Sequence, residues 1–371
     1  MTDSLHITDP AELISSIPAL LGFVPHRSLV VAAVRPGSAD ASPTLSSVVR
    51  FNLKPTGDQR EQLRAIALNV ARICTADQAD RVLAVVIDDR LGVPDPAEPP
   101  HHWTAQYSIL ASALDSSLAV HEVLLAGAWA VPATDGDQLW WSLLTRPDGG
   151  VVPDPGVSSI AMARALDGRP IYRSRADLES LLYPNLVQAE VVSVELAAAE
   201  RRRQARYLRA LRHNELAGYH RALLEMVLWR IADVACGEIP SPAAIAELVG
   251  ALREPTVRGT LYALPYTTYA GPAEQLWLRM VQALPGAERA DAAAVLGFSA
   301  YVRGDGPFAG MAFDAALAVE PSHFMAGQLE TGLRTGMRPG PLRRVARSGH
   351  DVATDLGVDL GPLRRSSEVS R

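Results

Sequence analysis

Two adjacent carboxylates, Asp88 and Asp89, directly follow the apolar run RVLAVVI. In open α/β sheets, ligands bind beyond the carboxyl ends of the strands, so this is the best-placed polar pair in the chain. The two carboxylates could hold Mg²⁺, with substrate phosphates completing the coordination shell. Aspartates after a strand are also common in turns, and neither GxGxxG nor GxxxxGK[ST] occurs in the N-terminal half. The turn is therefore the favoured interpretation, and the metal site is the alternative.

A second polar pair, Arg27 and Ser28, stands at the start of the first strand-like run, SLVVAAV. Arg27 could clamp a carboxylate or a phosphate. Ser28 could act as a hydrogen-bond donor, or as a nucleophile if a base lay beside it. Since no base is placed there by the sequence, we expect a turn that caps the strand. A ligand-binding role for both residues remains open.

Trp140 and Trp141 lie in the strand-like run QLWWSLL. Successive side chains of a strand point to opposite faces, so one indole is expected in the core. The other is expected either to line a ligand pocket or to cover the edge of the sheet. Adjacent bulky aromatics are more often packing residues than a platform for a ligand.

Arginines Arg202, Arg206 and Arg209 share one face of a predicted helix, because their spacing follows the helical repeat. Such a face could bind an acidic protein partner or a nucleic-acid backbone. It could equally be a solvated surface that pairs with neighbouring acids. The formal net charge of −6 and the pI near 5.9 make nucleic acid the less favoured partner.

The composition indicates an ordinary globular chain of 371 residues, long enough for two domains. Its two cysteines, Cys74 and Cys236, are far apart in sequence, so we predict neither a disulfide framework nor a metal site of the paired-cysteine type, and the cofactor is left unknown. The opening MTDSLHITDP has no signal-peptide pattern, and no apolar run is long enough for a membrane span. We therefore expect a cytoplasmic protein without membrane contact.

The N-terminal half, residues 1–184, is predicted to be an α/β domain. The runs SLVVAAV and LSSVVRFNL are expected to form an antiparallel pair, and the second alternates with the period of a half-buried strand. The runs RVLAVVI and EVLLAGAWAV are separated by a helical pattern, which predicts a parallel crossover and hence a mixed, partly parallel sheet. The stretch from Arg146 to Pro155 is rich in Pro, Gly and Asp and is expected to have no regular structure.

Residues 185–347 are predicted to form an all-α domain, followed by a polar and frayed tail at 348–371. Within this domain, residues 290–321 fit the tetratricopeptide template. The matching positions are Leu296-Gly297, Gly304, Ala309, Phe313, Ala316 and Pro321. A helical hairpin is therefore expected. One repeat cannot form a concave groove, so packing is favoured over direct peptide recognition.

The segment GFVPHRS contains Gly22, Phe23, Pro25 and Ser28 at the positions of a Gly-Phe-x-Pro-x-x-Ser motif. Together with GDQLWWSLL and the hairpin at Gly304, it resembles an actinobacterial family known only as domain of unknown function 4192. The resemblance implies an actinobacterial cytoplasmic source and an α/β-then-helical order, and it implies no assigned biochemical role. Many members carry a cysteine cluster after the Trp-Trp strand, whereas this chain has LLTRPDGGVVPDP there.

These observations favour a non-enzymatic binding or interaction protein, with a ligand site in the α/β domain and a protein partner for the helical domain. One alternative is an enzyme that acts on a phosphorylated or nucleotide-like substrate, with a metal at Asp88 and Asp89. A weaker alternative is a nucleic-acid-associated regulator that uses the arginine helix.

Overall fold

A computed structural model describes residues 9–36, 44–53, 59–92, 102–144 and 148–364. The chain divides into two compact units. The α/β unit comprises Met1–Leu178 together with the short segment Arg334–Arg338, and the helical unit comprises Glu179–Leu333 and Pro339–Arg371. The first division therefore lies close to the predicted boundary after residue 184.

The α/β unit alternates strands and helices in the described part of the chain. Its elements are α1 (Pro10–Leu21), β1 (Ser28–Arg35), β2 (Thr44–Asn52), α2 (Gln59–Asp77), β3 (Arg81–Ile87), α3 (His102–Ala119), β4 (Leu124–Val131), β5 (Leu139–Ser142), β6 (Gly149–Val151), a 3₁₀ turn (Pro155–Val157), α4 (Ser159–Leu166) and α5 (Arg175–Ser180).

The six strands form one mixed sheet in the order β2-β1-β3-β4-β5-β6. Strands β3 and β4 are parallel, and the other neighbouring pairs are antiparallel. The predicted antiparallel pair β1–β2 and the predicted parallel crossover from β3 to β4 are both confirmed. The mixed α/β class of the N-terminal half is confirmed with them.

Helices α2 and α3 cover one face of this sheet. Alternate residues of β1 and β3, such as Leu29, Val31, Val82 and Ala84, form a buried cluster with residues of both helices, including Leu114. The intervening residues of the same strands, such as Val30 and Val85, are also buried. The central strands are therefore buried on both faces, which explains their nearly continuous apolar sequence.

Helix α1 is bounded by clear capping signals and leads into the first strand. Asp9 caps its N-terminus by accepting a hydrogen bond from the amide of Ala11, and Pro10 occupies the first helical position. Gly22 ends the helix in the left-handed conformation with a φ of 81°. The chain then reverses towards β1 through residues 23–27.

The prediction that residues 146–155 have no regular structure is wrong. Strand β6 lies in this stretch and pairs with β5. A Cβ atom on Gly149 would lie 2.9 Å from the carbonyl oxygen of Trp140, so the absence of a side chain permits the close approach. Glycine is depleted in strands, and a strand that begins with two glycines gives no alternating pattern.

The helical unit consists of helices in the described part of the chain, as predicted for the C-terminal half. They are α6 (Leu186–His213), α7 (Leu216–Ala235), α8 (Pro242–Arg253), α9 (Pro255–Leu261), a 3₁₀ turn (Leu264–Tyr266), α10 (Ala270–Ala283), α11 (Glu288–Val302), α12 (Gly306–Val319), α13 (Phe324–Arg334) and α14 (Leu342–Asp355). None of the helices that the structure describes combines the length and the hydropathy needed to span a membrane.

The predicted helical hairpin is present as α11 and α12. Helix α11 is buried almost all around, from Ala292 to Val302. A Cβ atom on Gly297 would lie 2.4 Å from the ring of Phe313, so the two helices meet closely at this point. The hairpin is thus part of the core of the helical unit.

The prediction of a frayed tail from residue 348 is wrong for its first part. Helix α14 extends to Asp355, and Val358 and Leu360 beyond it are buried. Its buried face includes Ala346, Gly349 and Ala353. Because these residues are small, the helix packs closely on α9 without the bulky apolar repeat by which helices are recognised in a sequence.

Candidate ligand-binding site

Strand β1 begins where strand β3 ends, because the two strands are antiparallel and Ser28 pairs with Ile87. The two polar pairs that the sequence singled out separately therefore lie at the same edge of the sheet. Arg27 and Ser28 precede or open β1, and Asp88 and Asp89 follow β3.

Arg27 and Asp89 form a bidentate ion pair. The Nε and Nη2 atoms of Arg27 donate to the two carboxylate oxygens of Asp89 at 2.8 and 3.1 Å. The backbone of Arg27 adopts a φ of 44°, a left-handed conformation that is uncommon for a residue with a side chain. The hydrogen bond from Arg27 lowers the pKa of Asp89. Because the side chains are 51% and 57% exposed, the pair adds little stability.

Asp88 is fully buried and is held by two neighbours. Its carboxylate accepts hydrogen bonds from the backbone amide and the Nε of Arg90, at 2.9 and 2.8 Å, and from the hydroxyl of Tyr107. Burial alone raises the pKa of Asp88, but the hydrogen bonds from Arg90 and Tyr107 outweigh it, so that the pKa is lowered. Burial and the hydrogen bond to Asp88 raise the pKa of Tyr107. Both carboxylates of the predicted metal site are therefore bound by arginine.

Arg50 of β2 is a site residue that the sequence analysis missed. It pairs with Val30 across the strands, and its Nε donates to the hydroxyl oxygen of Ser28 at 2.7 Å. Its Nη2 donates to the side-chain oxygen of Asn52 at 2.6 Å, and its guanidinium lies 5.6 Å from the ring centroid of Phe23. Ser28 thus orients Arg50. The Ser28 hydroxyl itself donates to the carbonyl of His26 at 2.7 Å.

A second segment of the α/β unit adds positive charge beside Arg50. Tyr172 forms an isolated parallel bridge with Phe23, and α5 begins shortly afterwards at Arg175. Burial lowers the pKa of Arg50, and the charge of Arg175 lowers it further. The Nη2 atom of Arg164 lies 2.9 Å from the position that a Cβ atom on Gly22 would take. Arg50 and Arg164 therefore lie against the segment Gly22–Ser28, and the charge of Arg175 acts on Arg50.

A signal for Arg50 was present in the sequence. Arg50 and Asn52 are the polar members of the alternating strand VVRFN, on the face opposite Val49 and Phe51. An arginine within a strand is expected to form a hydrogen bond with a polar group of the neighbouring strand. The pairing of β2 with β1 identifies Ser28 as that contact.

Trp140 and Trp141 both pack within the sheet, and neither contacts the cluster around Arg50. Trp140 is buried and makes an edge-to-face contact with Trp129, with ring centroids 6.5 Å apart. Trp141 packs on the cluster formed with α2 and α3. The indole nitrogens of both lack a hydrogen-bond partner among the residues that the structure describes.

The arginines predicted on the helix lie on α6, in the helical unit. Arg202 lies 3.6 Å from Glu247, whereas Arg206 and Arg209 have no ion pair in the described part of the chain. Arg206 lines a small cleft between α6 and α8. The other lining residues include both acids and bases: Glu200, Arg203, Glu247 and Arg253.

The fold and the site define an α/β protein with an arginine-rich sheet edge, joined in one chain to a helical unit. The chain belongs to the family described as Domain of unknown function (DUF4192), whose family model matches residues 10–340. The predicted family is therefore confirmed over most of the chain. Neither a curated protein nor a solved structure matches it.

Proposed function

We propose that this chain is a non-enzymatic binding protein, whose α/β unit holds a small ligand and whose helical unit contacts a protein partner. The observation that carries the proposal is that arginine binds both strand-end carboxylates, Asp88 and Asp89. A catalytic metal requires carboxylate oxygens that are available as ligands. Binding requires donors held in a fixed orientation, and Arg50 is such a donor because Ser28 and Asn52 orient it.

The rival function is an enzyme that acts on a phosphorylated substrate with a metal at these carboxylates. We expect added Mg²⁺ to change the melting temperature of wild type and of Asp89→Asn equally, because Asp89 is engaged by Arg27. Asp80→Asn is the matched control, since Asp80 is exposed and pairs with Arg81 at the other end of β3. Saturable stabilisation by Mg²⁺ in wild type and the control, lost in Asp89→Asn, would favour the enzyme.

A protein partner is best accommodated by the outward face of α6. Val187 and Val194 are each 74% exposed, and Val191 lies on the same face. Further along the helix, Arg202 and Arg209 continue this face. They follow Val187 by fifteen and twenty-two residues, which are close to whole numbers of helical turns. An apolar stripe followed by arginines fits an acidic amphipathic segment of a partner.

A cytoplasmic location fits this function. Cys74 is buried and Cys236 is exposed, and both are unpaired, as thiols are in a reducing compartment. The nucleic-acid alternative would use the same arginines of α6, but the formal net charge of −6 opposes binding to a polyanion. An acidic protein segment is therefore the partner that we propose.

A further inference from the structure

Arg50 carries a positive charge that no carboxylate among the described residues balances. Its hydrogen bonds go to three neutral acceptors: the hydroxyl of Ser28, the side-chain oxygen of Asn52 and the carbonyl of His26. Its Nη1 has no hydrogen-bond partner in the part of the chain that the structure describes. A half-buried charge without a counter-ion is costly, so an anion supplied from outside would stabilise this arrangement.

Arg175 adds a second positive charge at the same place. It is exposed at the start of α5, and it has interactions of its own. Its charge nevertheless acts on Arg50, whose pKa is lowered by burial and then by Arg175. The positive charge of Arg175 would therefore add to the attraction of Arg50 for an oxyanion.

The guanidinium of Arg50 is held in place before any ligand arrives. Ser28 and Asn52 bind two of its nitrogens, and the ring of Phe23 lies 5.6 Å from its central carbon. The bridge between Phe23 and Tyr172 fixes the segment that leads to Arg175. Donors that are already ordered lose little entropy on binding.

We propose that Arg50 binds the oxyanion group, phosphate or carboxylate, of a small ligand beside Phe23, and that the charge of Arg175 adds to this attraction. This inference rests on the proposed ligand-binding role of the α/β unit and names the chemistry of the ligand. It also gives the segment Gly22–Ser28 a function, since this segment supplies both Phe23 and Ser28 to Arg50.

The test titrates the full chain with inorganic phosphate and, separately, with acetate, at constant ionic strength, and follows the melting temperature. We expect saturable stabilisation by at least one anion. The anion that binds more tightly shows whether the site prefers a phosphate or a carboxylate group. Arg50→Gln should weaken the apparent affinity roughly tenfold or more, as the loss of a charged hydrogen bond predicts. Arg81→Gln is the control, because Arg81 pairs with Asp80 at the opposite end of β3.

Arg175→Gln provides a second test that leaves every hydrogen bond of Arg50 intact. We expect it to weaken anion binding several-fold, since it removes a neighbouring positive charge. Absence of saturable stabilisation by either anion, or equal weakening in Arg81→Gln, would overturn the inference. Stabilisation by an uncharged compound, unchanged in Arg50→Gln, would overturn it too but leave the proposed binding function standing.

Discussion

At the scale of single residues, the edge of the sheet contains charges that are balanced in different ways. Asp88 is buried with Arg90 and Tyr107, and Asp89 is exposed with Arg27. Arg50 has neutral partners only among the described residues. The two aspartates therefore contribute to the structure of the edge, and Arg50 is the residue at which we propose that an anion binds.

Replacement of Asp88 tests the structural role of the buried pair. We expect Asp88→Asn to destabilise the chain by about 2–3 kcal/mol at neutral pH, because Arg90 loses its counter-ion. Since the folded pKa of Asp88 is lowered, its contribution is complete above the unfolded pKa of about 3.9 and is lost as pH falls through the folded value. Urea unfolding at several pH values should show the two proteins converging below about pH 4.

The exposed residue Asp80 provides the control for this measurement. Asp80→Asn breaks an exposed pair with Arg81 and should cost less than about 1 kcal/mol. A difference between wild type and Asp88→Asn that stays constant down to pH 3, or that widens there, would contradict the assigned pairing.

The sequence could single out Arg27, Ser28, Asp88 and Asp89 as candidates, because polar residues next to apolar strands are visible in one dimension. It could not show that they meet, since this depends on the antiparallel pairing of β1 with β3. Arg50 was missed for the same reason. Its contact with Ser28 requires the β1–β2 register, which the alternation of apolar residues alone does not specify.

At the scale of the elements, close packing depends on glycines at particular positions. Gly297 allows Phe313 of α12 to lie against the backbone of α11. Gly127 likewise lies under the ring of Trp129, where a Cβ atom would come within 2.1 Å. These positions tolerate no side chain without movement of a buried aromatic ring.

Gly297→Ala tests the hairpin. We expect a loss of about 1–3 kcal/mol in the unfolding free energy, because the added methyl group overlaps the ring of Phe313. Gly218→Ala on α7 is the control, since nothing lies within 4 Å of its Cβ position and alanine favours a helix by up to about 1 kcal/mol. Denaturant unfolding followed by circular dichroism measures both. Equal stabilisation by the two substitutions would contradict the close crossing.

Elements with strong periodicity were predictable, and those built from small residues were not. The strands β1 to β4 follow from apolar runs in the sequence, and the α11–α12 hairpin follows from its fit to the tetratricopeptide template. Strand β6 begins with two glycines, and α14 buries alanines and a glycine. Their stability comes from tertiary contacts, which local propensity does not report.

At the scale of the whole molecule, the α/β unit is formed by two separate segments of the chain. The segment Arg334–Arg338 belongs to this unit, and Arg338 donates to Asp77 at 2.8 Å although 261 residues separate them. No periodic pattern encodes such a contact. The sequence therefore predicted one boundary between two domains and could not predict this return of the chain.

The outward face of α6 is the surface at which we expect a protein partner. Val187→Asp with Val194→Asp, and separately Arg202→Glu with Arg209→Glu, should each reduce capture of the partner at least tenfold, a loss of about 1.4 kcal/mol. The measurement is quantitative cross-linking in a cell lysate, with Val120→Asp as the control because Val120 is 79% exposed in the α/β unit. Capture that survives both α6 variants would contradict this surface. Capture that nuclease abolishes would favour the nucleic-acid alternative.

The most direct test of the central claim is a thermal-shift screen of the full chain without divalent metal, using phosphorylated and carboxylated metabolites alongside their uncharged counterparts. A ligand at one hundred times its dissociation constant stabilises the folded state by about 2.7 kcal/mol. The binding function predicts that at least one compound raises the melting temperature and is recovered chemically unchanged after incubation. Stabilisation that requires Mg²⁺, conversion of the compound, or a flat response across all classes would contradict it.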